Sequence, residues 1–142
     1  MAFSDSEKQI MEEIGNHIKA NAEAWGADAL VRLFTVYPQT KKNFKKFTGF
    51  KDCDPSVRNH GRLVMKALAD AAHDVDHMGK HLEGLAIEYR EELQMDPHYI
   101  HMLTNCIVLT LAIHLPTFTP AYHCAVGKFL KVVSDELSSK YH

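Results

Sequence analysis

The sequence of 142 residues has no long apolar run and no excess of either charge. Its most apolar stretch, Ile107 to Ile113, is far shorter than the roughly 20 residues of a membrane-spanning helix. The 16 basic and 18 acidic side chains give a formal net charge of −2, whereas a nucleic-acid-binding protein shows a concentrated basic face. We therefore expect neither a membrane span nor a nucleic-acid partner.

Cysteine is scarce, and its spacing does not suit a zinc site. Cys53, Cys106 and Cys124 are odd in number, lie far apart and form no C-x-x-C pair. We interpret them as free thiols in a reducing compartment, with Cys106 and Cys124 as small core residues of apolar helices. The first residues lack the basic and apolar segments of a secretory signal, so we expect a cytoplasmic location.

The residues that are present describe one globular domain. Apolar side chains make up 46% of the chain and charged ones 24%, which is typical of a domain with a substantial core. We assign residues 1–142 to that domain, because no repeat, linker or low-complexity segment divides them. Histidine is abundant, with ten residues, and these suit a metal site, a buffer or neither.

Apolar residues recur with a period of 3.6 from end to end, which predicts an all-α chain. Ser4 and Glu7 form a capping box at the first helix, and Asp54 and Pro55 give a second strong helix start. Seven helices of unequal length favour an irregular packing over a four-helix bundle. The predicted segments are helices from about Asp5 to Ala20 and Asn21 to Tyr37, a short turn from Thr40 to Phe44, a loop from Lys45 to Asp54, and helices from Pro55 to about His73, about Lys80 to Leu93, Pro97 to Leu115 and Pro120 toward Tyr141.

His60 lies on the apolar stripe of its helix, between Val57 and Val64, and is therefore predicted to point inward. A hydrogen-bonded core histidine is the more common role for a single buried imidazole. Gly61 follows at once, and Gly26 lies inside another helix. Glycine inside a helix costs about 0.5–1 kcal/mol relative to alanine, so the pair indicates a close helix crossing beside His60.

Tyr89 also lies on an inward stripe, with Leu82, Leu85 and Leu93. A tyrosine in that position is ordinarily a core ring whose hydroxyl reaches a partner. The alternative is a Tyr89 that faces His60 across a cavity and holds a flat apolar ligand with a metal at its centre. The residues predicted to line such a cavity are Phe44, Phe47, Val64 and Leu103.

The other histidines form no clear ligand set. His73, His77 and His81 are four residues apart, but Gly79 interrupts the predicted helix, so a divalent metal site there has weak support. We expect most of the remaining histidines to lie at the surface or at helix ends: His98, His101, His114, His123 and His142.

Seven segments of the chain are distinctive enough to compare with known families: WGADALVRLF, YPQTKKNF, VRNHG, LVMKALADAAHDV, MDPHYIHMLTNCIVLTLAIHL, FTPAYHCAV and KFLKVVSDELSSKY. They resemble the globin family, and within it α-type haemoglobin chains of cartilaginous fishes. The resemblance covers the whole chain and implies a globin fold, with seven to eight helices around a haem pocket.

The resemblance implies haem b as the cofactor and gives roles to particular residues. His60 matches the distal histidine, Phe44 the ring that stacks on haem, and Val64 the residue that crowds the ligand side. The other positions that match haem contacts are Phe47, Leu85, Leu93, Met95, Ile100, Leu103 and Leu137.

Tyr89 stands where the family has its proximal histidine, which ordinarily holds the iron. A phenolate is an anionic, hard ligand and favours ferric over ferrous iron. Three outcomes are open: Tyr89 ligates ferric haem, His60 is the sole axial ligand, or haem binds weakly or not at all. We favour haem binding with Tyr89 near or on the iron, so Tyr89 and His60 are the expected metal ligands.

The resemblance implies a non-enzymatic α-type subunit that binds and transports O₂ in the erythrocyte cytoplasm. The alternative, indicated by Tyr89, is a ferric haem protein with a redox, peroxidase-like or sensing role and poor reversible O₂ binding. A β-type chain is the implied partner, in a dimer or an α₂β₂ tetramer. The residues that resemble the pairing contact are Cys106, Phe118, Pro120 and His123.

Overall fold

A computed structural model describes residues 2–139, and the regular structure within this range is entirely helical. This confirms the all-α prediction for those residues. The helices are α1 (Asp5–Ala20), α2 (Ala22–Val36), α3 (Pro55–Ala72), α4 (Met78–Ile87), α5 (Pro97–His114) and α6 (Pro120–Ser139), with 3₁₀ turns at Pro38–Asn43 and Val75–His77 and a π-helical turn at Glu88–Glu92. Between residues 2 and 139 no helix is long and apolar enough to cross a membrane.

The predicted helix starts are largely confirmed. Ser4 and Glu7 form the complete capping box, because the Glu7 backbone N–H donates to Ser4 Oγ at 3.2 Å and the Ser4 N–H donates to Glu7 Oε1 at 2.8 Å. Pro55 begins α3 as predicted. Asp54 does not cap that helix with its side chain, since its carboxylate instead accepts the Lys51 N–H at 2.8 Å.

The segment before Leu93 differs from the single predicted helix. The α4 helix begins at Met78, so Gly79 lies inside it rather than before it. A Cβ on Gly79 would stand 3.3 Å from the Glu136 carboxylate, so the glycine accommodates α6. After Ile87 the helix widens, and the Leu93 N–H donates to the Glu88 carbonyl, five residues back, at 3.0 Å. At the other end of the chain, the predicted extension of the last helix to Tyr141 lies outside the described residues.

The cysteines divide between core and surface. Cys106 is 2% exposed and packs in the core, as predicted. The prediction for Cys124 is wrong, because its side chain is exposed. Ala125, Val126 and Phe129 form the buried face of α6, which leaves position 124 on the outer side of that helix.

The two helix-interior glycines meet at the crossing of α2 and α3. A Cβ on Gly26 would stand 2.1 Å from the Gly61 carbonyl oxygen, and a Cβ on Gly61 would stand 2.5 Å from the Gly26 carbonyl carbon. Both neighbours are backbone atoms, so only separation of the helices could make room. The crossing therefore confirms the close contact predicted beside His60.

Replacement of Gly26 by alanine should push α2 and α3 apart and lower the free energy of unfolding. Overpacking in a close-packed core costs about 1–3 kcal/mol, and we expect a loss of about 2 kcal/mol in urea titrations followed by circular dichroism. Gly127→Ala is the matched control, since a Cβ there meets no atom within 4 Å among the described residues. Equal unfolding midpoints for Gly26→Ala and wild type would contradict the tight crossing.

Candidate functional site

His60 is buried in an aromatic and aliphatic environment on α3. Its side chain is 6% exposed, and its ring meets Phe44 and Phe47 edge-on, at centroid distances of 5.5 and 5.9 Å. Burial lowers the pKa of His60 to about 4, because the apolar surroundings disfavour the charged imidazolium. The imidazole is therefore neutral near pH 7, with one nitrogen as donor and the other as acceptor.

Tyr89 reaches His60 directly. It lies on the π-helical turn, is fully buried, and its hydroxyl is 2.9 Å from His60 Nε2. The two rings are also stacked, 5.6 Å apart and inclined by 25°. The inward orientation predicted for both residues is thus confirmed. The cavity expected between them is replaced by a hydrogen bond between the two side chains.

A cluster of four phenylalanines supports the imidazole from the other side. Phe34 on α2 contacts Phe44, Phe47 and Phe50, with centroid distances of 5.1, 6.1 and 4.9 Å. Phe44 and Phe47 are predicted site residues, whereas Phe34 and Phe50 are not. The available signal was the density of aromatic residues between positions 44 and 50, together with the inward stripe of α2.

The other predicted contact residues belong to the same hydrophobic core as the aromatic cluster. Phe47 and Leu93 are half-buried. The buried members are Val64, Leu85, Met95, Ile100, Leu103 and Leu137. Their apolar character suits a water-poor pocket, while direct contact of each with a cofactor stays a prediction.

A groove of about 340 Å³ opens between α3 and α4. Its lining includes Leu63, which follows His60 on α3, and Glu88, the residue before Tyr89. Its volume is within the range of small-molecule sites, about 300–1,000 Å³. Burial and the nearby Glu92 carboxylate raise the pKa of Glu88, while Lys46 acts in the opposite direction. The groove is lined by Leu63, Lys66, Ala67, Asp70, His81, Gly84, Leu85 and Glu88.

Asn43 links the Pro38–Asn43 turn to the chain that follows Tyr89. Its Nδ2 group donates to the Leu93 carbonyl at 3.1 Å and to the Gln94 carbonyl at 3.3 Å. Gln94 has a φ of 49°, a left-handed conformation that non-glycine residues seldom adopt. No local pattern predicts this link, because Asn43 and the two carbonyls that it holds are about fifty positions apart in the chain.

The histidines between the end of α3 and the first turn of α4 pair with carboxylates instead of gathering around a metal position. His73 Nδ1 lies 2.8 Å from Glu12 Oε2, and Asp74 bridges His77 Nδ1 at 3.0 Å and His81 Nε2 at 2.9 Å. In the described part of the chain, no group of three or more histidine, cysteine or acidic side chains has the geometry of a metal site. His98, His101, His114 and His123 are exposed as predicted, and His142 lies outside the described residues.

The fold and the buried imidazole agree with comparisons to known proteins. Residues 27–137 match the family model described as Globin. The chain therefore belongs to the globin family.

Within this family, the chain is similar to α subunits of haemoglobin. It is 56% identical over 141 residues to haemoglobin subunit alpha of Hemitrygon akajei and 47% identical to that of Bathyraja eatonii, with 99% of each chain covered. Its fold matches the deoxy haemoglobin of Dasyatis akajei with a TM-score of 0.92 at 55% identity, over 99% of this chain and 100% of that one. The predicted family and fold are thereby confirmed.

Replacement of Asp74 by asparagine should alter acid stability. Hydrogen bonds from His81 and His77 hold the pKa of Asp74 well below its usual value of 3.8. The unfolded chain therefore binds this proton more readily, and the stability contributed by Asp74 is present above about pH 4 and lost on further acidification. We expect Asp74→Asn to be less stable than wild type at pH 6, with the difference shrinking below pH 4 in urea titrations.

The exposed carboxylate of Asp70 provides the control for this measurement. Asp70→Asn should follow the wild-type pH profile. A constant difference between Asp74→Asn and wild type from pH 6 to pH 3 would contradict the assigned role of Asp74.

Proposed function

We propose that this chain is an α-type haemoglobin subunit that binds haem b in the pocket of His60 and carries O₂. The observation that carries the proposal is the buried, neutral imidazole of His60 among aromatic and aliphatic side chains of the core. Its full-length similarity to haemoglobin α subunits supports the same conclusion. The pocket residues named by the resemblance are proposed as cofactor contacts on these grounds.

The chemical character of the buried side chains around His60 suits a flat apolar macrocycle. Buried aliphatic side chains on α3, α4 and α5 offer apolar walls, and Phe44 offers a ring for stacking. Lys46 lies near the groove that opens between α3 and α4, where a cation suits an acidic substituent. The half-buried carboxyl group of Glu88 lines the same groove and acts against Lys46, because it disfavours an acidic substituent there.

The donor set also fits haem iron, since an imidazole and a phenol are both axial ligands in haem proteins. We propose that Tyr89 would hold the iron, while the His60 imidazole would face a diatomic ligand bound there. Tyr89 Oη and His60 Nε2 are 2.9 Å apart and hydrogen-bonded to each other, which leaves no room for a macrocycle between the two side chains. The direct hydrogen bond must therefore break when haem is bound.

Each protein group then has a definite task. Haem supplies the iron at which a diatomic ligand binds. The neutral His60 can donate an N–H hydrogen bond to a ligand that gains negative charge, which strengthens binding. The phenylalanine cluster and Val64 keep water from that side of the pocket.

Tyr89 also supports the second candidate function, a ferric haem protein with a redox or sensing role. An anionic phenolate ligand favours ferric iron, which does not bind O₂. The comparisons give this alternative no support, and it depends on Tyr89 alone. A peroxidase-like side activity belongs to the same alternative and likewise stays a prediction.

We further propose a β-type chain as the partner, with the erythrocyte cytoplasm as the location. Three large apolar side chains on α2 and α5 are exposed: Val36 by 57%, Leu109 by 51% and Ile113 by 61%. Phe118 and His123 form a ring contact nearby in the chain, at 5.7 Å. Cys106, by contrast, is buried in its own core and offers little surface for the contact.

Visible absorption of the haem-loaded chain tests the proposed function. We expect dithionite under CO to give a stable ferrous–CO spectrum, followed by reversible O₂ binding after CO is removed. Tyr89→His is the matched variant and should oxidise more slowly in air, because imidazole favours ferric iron less than phenolate does. A wild-type spectrum that stays ferric and high-spin under dithionite would favour the alternative.

Partner binding is tested by a charge on the exposed apolar surface. Ile113→Asp should weaken association with a β-type chain at least tenfold in sedimentation velocity, because the contact would bury an unpaired charge. Ile87→Asp, at a side chain that is 38% exposed on α4 and lies outside the groove lining, is the control and should associate normally. Equal association by Ile113→Asp and wild type would exclude this surface from the interface.

A further inference from the structure

The Tyr89–His60 pair has the properties of a closed internal contact. Both side chains are buried, and each supplies the polar partner that the other needs in apolar surroundings. An unpaired hydroxyl or imidazole in such a place costs about 1–3 kcal/mol. The pair is thus a satisfied part of the core that joins α3 to the π-helical turn.

The backbone around Tyr89 is fixed from both sides. The Met95 N–H donates to the Tyr89 carbonyl at 2.9 Å. The Leu93 N–H donates to the Glu88 carbonyl and completes the π-helical turn. Asn43 then holds the carbonyls of Leu93 and Gln94 from the Pro38–Asn43 turn. The phenol therefore cannot move away from His60 without loss of further contacts or a change of its own side-chain rotamer.

The phenol is also a better closure than the family's usual residue at this position. Phenol and imidazole are both planar, but the phenol places its hydroxyl beyond the far edge of a six-membered ring. This added reach brings the hydroxyl to hydrogen-bonding distance of His60 Nε2 across the pocket. The stacked arrangement of the two rings adds apolar contact to the hydrogen bond.

We propose that the Tyr89–His60 hydrogen bond is an internal closure of the pocket, which stabilises the chain without a cofactor and which any bound macrocycle must break. The proposal rests on the proposed haem site and concerns its regulation. The hydrogen-bonded pair and a macrocycle would occupy the same space. The free energy of the Tyr89–His60 hydrogen bond therefore reduces the net binding free energy of the macrocycle. A chain with histidine at position 89 has a shorter side chain there and lacks this competition.

A double-mutant cycle on the haem-free full-length chain measures the closure. Tyr89→Phe keeps the ring and should lower the folding equilibrium constant about tenfold in urea titrations, because it leaves His60 without its partner. His60→Leu should have a similar effect. The double variant should be no less stable than either single variant, since the two side chains act together.

Tyr122→Phe is the control for loss of a tyrosine hydroxyl, because Tyr122 bonds Glu13 at the surface. It should change the folding constant by less than about threefold. Effects of Tyr89→Phe and His60→Leu that simply add, with coupling below about twofold, would overturn the closure.

Binding of metal-free protoporphyrin IX gives the second measurement, followed by the fluorescence of the porphyrin. This probe needs an open pocket but carries no iron for Tyr89 to ligate. Tyr89→Phe and His60→Leu should each bind it about tenfold more tightly than wild type, while Tyr122→Phe should match wild type. If Tyr89→Phe fails to fold, His60→Leu still provides the comparison.

The two proposals fail in different ways. Equal porphyrin affinity in wild type and His60→Leu would overturn the closure, even if wild type takes up iron haem normally. Failure of wild type and every variant to bind iron haem would overturn the proposed function. In that case the double-mutant cycle still decides whether the closure exists.

Discussion

The close crossing of α2 and α3 sets the position of the pocket. Gly26 and Gly61 bring two backbones into contact, and His60 precedes Gly61 directly on α3. The direction of that imidazole therefore depends on a contact made by its neighbour. Because a Cβ at either glycine would collide with backbone atoms, the chain has little freedom to reposition His60 by small adjustments.

Burial explains both the state of His60 and the importance of Tyr89. The apolar surroundings keep the imidazole neutral, so it needs a neutral partner rather than an ion. A phenol is such a partner and is itself expensive to bury alone. The two residues thus form a buried, hydrogen-bonded polar pair in the hydrophobic core. An imidazole and a phenol can also be haem ligands, so core stability and the proposed cofactor binding depend on the same two atoms, His60 Nε2 and Tyr89 Oη.

Outside the pocket, histidines have a different role. His73, His77 and His81 lie against carboxylates at the surface, and this arrangement ties the end of α3 to α1 and α4. Exposed pairs of this kind contribute little individually and are sensitive to pH and salt. The abundance of histidine therefore has no single explanation, and among the histidines between residues 2 and 139 His60 is the one proposed to face a bound ligand.

Local patterns in the sequence were sufficient for most of the helices, the capping box of α1, the proline start of α3 and the inward directions of His60 and Tyr89. These features depend on neighbours within a few residues, and helical periodicity reports them directly. The family followed from segments spread over the chain. Only the tertiary structure decided that Tyr89 and His60 touch, that Asn43 holds the chain after Tyr89, and that Cys124 faces outward. The first two features depend on distances between residues far apart in the sequence. The third depends on which face of α6 packs against the other helices. No local pattern encodes either of these.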